Sequence, residues 1–65
     1  MNVEAVTRRV RAEFEEMPGL VLTEYQAAKL FGIEQKVCRD VIDSLIDESY
    51  LRKTRSGTIT RSDRS

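Results

Sequence analysis

The sequence predicts a mainly α fold with a small β element (α+β): three helices and a two-stranded ribbon in a single domain. Three observations carry this reading. Val3, Val6, Val10, Phe14 and Met17 recur at helical spacing before Pro18-Gly19. Two further helical patterns lie between Thr23 and Glu48, divided by Gly32. Two short runs of β-type residues, Tyr50 to Thr54 and Thr58 to Arg61, then flank Arg55-Ser56-Gly57.

Each element has a local cause. Asn2 can cap a first helix that runs to about Met17, because its side-chain oxygen can accept from the first unpaired N–H groups. Glu4 with Arg8, Arg9 with Glu13, and Arg11 with Glu15 stand at i,i+4, where opposite charges on a helix surface meet. The three arginines suit a solvated helix face, with phosphate contact as a second option. Pro18 cannot continue the helix and Gly19 permits the turn. Leu20-Val21-Leu22 is expected to form a brief edge strand.

Thr23 followed by Gln26 makes a capping box that starts the second helix. Ala27, Ala28, Leu30 and Phe31 give it an apolar face. Gly32 ends it by taking the left-handed conformation, and Ile33 then drops into the core. The third helix, Gln35 to about Glu48, carries Cys38, Val41, Ile42, Leu45 and Ile46 as one broad apolar stripe. Arg55-Ser56-Gly57 fits a three-residue hairpin loop with glycine at the positive-φ position. Leu51 and Ile59 are expected in the core, and Lys53, Thr54, Arg55 and Thr58 in water. The domain is expected to span residues 1–61, with Ser62 to Ser65 as a flexible polar tail.

Ala28 and Gly32 stand four apart, as a small crossing residue and a turn glycine do in the helix-turn-helix family, which this stretch resembles. Ala27, Phe31, Ile33, Cys38 and Val41 fall where that motif places its buried side chains. Val37-Cys38-Arg39-Asp40-Val41-Ile42-Asp43-Ser44-Leu45, followed by Ser49-Tyr50-Leu51-Arg52, looks like winged-helix members in particular. The resemblance covers nearly the whole chain. It implies a three-helix winged helix-turn-helix that binds double-stranded DNA, in the manner of a transcription regulator. Gln35, Lys36 and Arg39 would then lie in the major groove, and Arg52, Lys53 and Arg55 on the phosphate backbone. Gln can read adenine and Arg can read guanine. The bland alternatives are a helical hairpin packed only for stability, and basic residues that merely protect a strand edge.

Composition sets the outer limits. Sixty-five residues make one domain, and a chain this short buries roughly 60% of its unfolded surface. Its stability is therefore marginal, and a homodimer is kept as an option. One cysteine and no histidine argue against a disulfide framework and a zinc site. No glycine-rich phosphate loop or recognisable carboxylate pair is present, so no enzyme and no cofactor is expected. Cys38, on the apolar stripe, is read as a small inert hydrophobe. No apolar run could span a bilayer and no signal-peptide block opens the chain, which points to the cytoplasm.

Charge is unevenly placed. Residues 1–51 hold six Lys/Arg against ten Asp/Glu, and residues 52–65 hold five against one. A basic end on an acidic body suggests an anionic partner. Yet Glu34 to Glu48 carries five acids against two bases. That opens a second function: an interaction module without DNA binding, offering Asp40, Asp43 and Asp47 to a basic protein.

Overall fold

The computed structural model describes residues 2–62. In chain order these form α1 (Val3–Glu16), β1 (Val21–Thr23), α2 (Glu24–Phe31), α3 (Gln35–Asp47), β2 (Leu51–Lys53) and β3 (Thr58–Arg61). The strands make one antiparallel sheet in the order β1-β3-β2. This is the mainly α, α+β architecture that the periodicities predict. The sheet has one more paired strand than the ribbon alone, because β1 closes against β3.

The helix boundaries follow the expected capping chemistry. The Asn2 side chain accepts from the N–H groups of Glu4 and Ala5, and α1 ends at Met17. Both halves of the Thr23–Gln26 capping box form, at 3.0 Å each. Gly32 ends α2 with φ 67°, and the Ile33 N–H reaches back to the Ala28 carbonyl at 3.1 Å. The end of α3 uses the same device without a glycine. Ser49 sits at φ 66°, its N–H bonds Ile46, and the Tyr50 N–H bonds the Leu45 carbonyl at 2.9 Å. This left-handed stop was not legible, since serine rarely takes that conformation.

The core is Val10, Phe14, Ala27, Ala28, Phe31, Cys38, Val41, Ile42, Leu45, Leu51 and Ile59. All three helices contribute, with Leu51 from the edge strand β2 and Ile59 from the central strand β3. α3 packs on α1, α2 and β2. Val6, Leu20, Leu22, Ile33, Val37, Ile46 and Tyr50 close its rim.

The structure corrects several expectations. Leu30 does not belong to the buried face of α2; it is 50% exposed, because that face is filled by Ala27, Ala28 and Phe31. Val3 and Met17, at the two ends of the α1 stripe, are also exposed, beyond the reach of the core. The edge strand is shifted one residue later than expected, to Val21–Thr23. Among the described residues, none of the three i,i+4 pairs on α1 forms an ion pair. Arg11 reaches Glu48 on α3 instead, at 3.2 Å, and Arg9 lies 6.0 Å from the centre of the Phe31 ring. Thr54 and Thr58 are half-buried rather than solvated, with their hydroxyls 2.6 Å apart. Ser62, assigned to the tail, is tied to the Tyr50 carbonyl by its N–H at 3.0 Å. The rest of the expected tail, residues 63–65, lies outside the described residues.

Two stability predictions follow from this packing. Phe31 is 4% exposed and joins the core that all three helices share. Truncating it in Phe31→Ala is expected to cost roughly 3–5 kcal/mol, enough to leave a marginal domain largely unfolded at room temperature. A thermal melt close to that of the parent protein would refute this packing. Ser49→Gly is expected to stabilise by about 0.5–1 kcal/mol, the left-handed penalty of a Cβ less the extra chain entropy of glycine. Urea titration checks the sign.

Candidate nucleic-acid interface

α3 presents three distinct faces. At about 100° per residue, its buried line is Cys38, Val41, Ile42 and Leu45. The line directly opposite is Lys36, Asp40, Asp43 and Asp47, all exposed. Gln35 and Arg39 lie on one flank of that line, and Ser44 and Glu48 on the other, beside α1. The acids therefore occupy the apex of the helix and the bases its first turn and one flank.

Arg39 does not stand alone on that flank. Its Nε lies 3.6 Å from Oε1 of Glu24, the first residue of α2. Oε2 of the same carboxylate lies 3.5 Å from Nζ of Lys53 on β2. Glu24 is largely covered, its side chain 16% exposed, whereas Arg39 and Lys53 keep 64% and 52%. One carboxylate thus gathers cations from the start of α3 and from the hairpin. Nothing in the sequence marks Glu24 out, since an acid in a first helical turn is read as a partner for the helix dipole.

Strand register decides which of the remaining bases join them. Lys53 pairs with Ile59, so both point to the side of the sheet that faces the helices. Arg52 pairs with Thr60, which pairs in turn with Val21. Those three share the outer face of the sheet. Arg52 and Lys53, grouped together by sequence, therefore point to opposite sides. Arg55 is exposed at the hairpin turn, where Gly57 takes φ 91° and its N–H bonds the Thr54 carbonyl at 3.0 Å. The hydroxyls of Thr54, Ser56 and Thr58 bond to one another beneath it.

The base of the hairpin is held by Tyr50. Its ring lies 4.7 Å from the Arg11 guanidinium and 5.2 Å from that of Arg61. Its hydroxyl lies 3.1 Å from the Arg11 carbonyl and 3.2 Å from a Glu15 carboxylate oxygen. Burial, and then the bond to Glu15, push the phenol above its ordinary pKa. Arg11 and Arg61 are thereby committed to structure. A shallow groove between α1 and α3, lined by Val3, Thr7, Arg11, Ser44 and Glu48, lies on the other flank. It includes none of the six cationic and amide residues expected to contact DNA.

Four of those six residues, Gln35, Lys36, Arg39 and Lys53, thus lie on or beside the first turns of α3. Arg55 extends the set at the turn, and Arg52 is separated from it by the sheet. Among the described residues, Asp40, Asp43 and Asp47 form no ion pair. No helix among them is long and apolar enough to cross a membrane. No family profile, curated protein or solved structure matches the chain.

Cys38 sits directly beneath this surface. It is fully buried, and its Sγ lies 3.8 Å from the Glu24 carbonyl as a weak donor. Burial, and then the nearby Glu24 charge, raise the thiol above its ordinary pKa. The thiolate, the reactive form, is disfavoured on both counts. Maleimide labelling at neutral pH is expected to be slow in the native protein and fast in denaturant. Fast native labelling would mean that α3 is not packed through this face.

Proposed function

We propose that this chain is a small winged-helix DNA-binding module of a transcription regulator, acting in the cytoplasm on double-stranded DNA. One observation carries the reading: Arg39 and Lys53 meet at Glu24, so the start of α3 and the hairpin share one cationic surface. The order of elements, with a short turn at Gly32 between α2 and α3, supports it. In this reading α3 enters the major groove by its N-terminal end. Gln35, Lys36 and Arg39 span roughly 6 Å of helix axis and reach base edges and the nearest phosphates. Arg55 on the wing meets the backbone beside the groove. Arg52, on the far face of the sheet, contributes only long-range attraction.

End-on entry also sets the far end of the acidic line apart from the duplex. Asp47 lies about 17 Å along the axis from Lys36, roughly two screening lengths at physiological salt. Asp40 lies only about 6 Å away, on the same outward line, and opposes binding directly.

Affinity is expected to fall steeply with salt, with a log–log slope of about −0.9 for each cation–phosphate contact. Arg55→Ala is expected to weaken all sequences alike and flatten that slope by about one unit. Arg39→Ala is expected to relax preference at one base pair, at about 1–3 kcal/mol. Asp40→Asn is expected to strengthen non-specific binding, and Asp47→Asn to leave it nearly unchanged.

The exposed line of Asp40, Asp43 and Asp47, which forms no ion pair among the described residues, favours a second reading, a docking face for a basic protein. It requires no duplex affinity tighter than about 10⁻⁴ M, the floor of non-specific binding at physiological salt. It also requires loss of the partner when Asp43 and Asp47 are neutralised together. A flat duplex titration at low salt, with the protein folded, would leave this reading in place of the first.

A further inference from the structure

Among the described residues, Glu24 is the one acid whose carboxylate faces cations from two different elements. Its two oxygens are divided between them, Oε1 toward Arg39 at 3.6 Å and Oε2 toward Lys53 at 3.5 Å. A phosphodiester offers the same pattern: two equivalent oxygens, one negative charge and a single centre between them. We infer that Arg39 and Lys53 form a subsite for one backbone phosphate, and that Glu24 fills it in the free chain. The inference rests on the DNA-binding reading and adds to it a residue that lowers affinity for every duplex alike.

The exchange is physically easy. Both contacts exceed ordinary hydrogen-bond length, and both cations are about half exposed or more, so the ion pairs hold little stability. A displaced Glu24 remains in the first turn of α2, where the helix dipole favours a negative charge. Arg39 faces the subsite through Nε, and its guanidinium has two further nitrogens whose N–H groups can serve a base edge. Every duplex, whatever its sequence, must expel the same carboxylate. Glu24 therefore lowers affinity uniformly while base reading by α3 is untouched. The ratio of specific to random affinity is set by the base contacts, as it is without Glu24.

The test compares the parent chain with Glu24→Gln, which keeps the shape of the side chain. Glu16→Gln serves as a control with the same charge change elsewhere. Circular dichroism establishes that all are folded. Binding of a short random-sequence duplex by Glu24→Gln is expected to rise roughly fivefold at low salt, the scale of one unit-charge contact in water. Its salt slope should steepen by no more than about one unit, since the subsite takes a single phosphate. Adding Lys53→Gln should cancel the gain, and Glu16→Gln should show little of it. In a second arm, inorganic phosphate is titrated while the Arg39 Nε–H resonance is followed. It should shift at lower phosphate in Glu24→Gln than in the parent.

An unchanged or weaker duplex affinity in Glu24→Gln, in a chain that otherwise binds DNA, overturns the subsite and leaves the DNA reading intact. A phosphate response gained by Glu24→Gln, with no duplex binding by either form, supports the subsite as an anion site and removes the DNA reading. Equal phosphate responses in the two forms overturn the subsite.

Discussion

Burial of one stripe on α3 is the constraint from which the rest of the structure follows. Through Cys38, Val41, Ile42 and Leu45, α1, α2 and β2 come to share a core, since α3 packs on all three. A chain of 65 residues has few side chains to spare for that purpose. Among the described residues the core holds eleven that are buried, and four of them lie on this helix. Once those four face inward, helical geometry puts Lys36, Asp40, Asp43 and Asp47 outward and leaves Gln35 and Arg39 beside the sheet. The charge pattern of the surface is thus inherited from the hydrophobic pattern of the interior.

What could be read from the sequence was whatever depends on neighbours within a turn or two. The Asn2 cap, the Thr23–Gln26 box, the Gly32 stop, the stripe of α3 and the glycine of the hairpin loop are all local, and the structure contains each. What escaped depends on contacts across the fold. The i,i+4 pairs on α1 are locally plausible, but Arg11 finds Glu48 and Tyr50 on other elements. Leu30 looked apolar enough to be buried, yet smaller residues beside it already fill that face. The division of Arg52 from Lys53 needed strand register, which turn chemistry constrains only in part. Glu24 and Tyr50 each join two elements and carry no signal that short-range spacing can show.

The same contrast runs through the electrostatics. The basic end of the sequence does not act as one patch. Among the described residues, Arg61 is held against the Tyr50 ring, Lys53 against Glu24, Arg52 lies on the far face of the sheet, and Arg55 projects at the turn. Counting residues by sequence segment overstates the positive field of the hairpin. Counting them by face gives a modest cationic strip beside an acidic ridge.

The stop at the end of α3 has an evolutionary consequence. Where the hairpin leaves the helix is decided by main-chain bonds, Tyr50 N–H to Leu45 and Ser62 N–H to Tyr50, and by one left-handed residue at Ser49. None of these depends on the identity of the side chains that project from β2 or the turn. Position and chemistry are therefore inherited separately. Arg52, Lys53 and Arg55 can be exchanged for other residues without moving the strands that carry them, so the surface of the hairpin can change while its shape is kept.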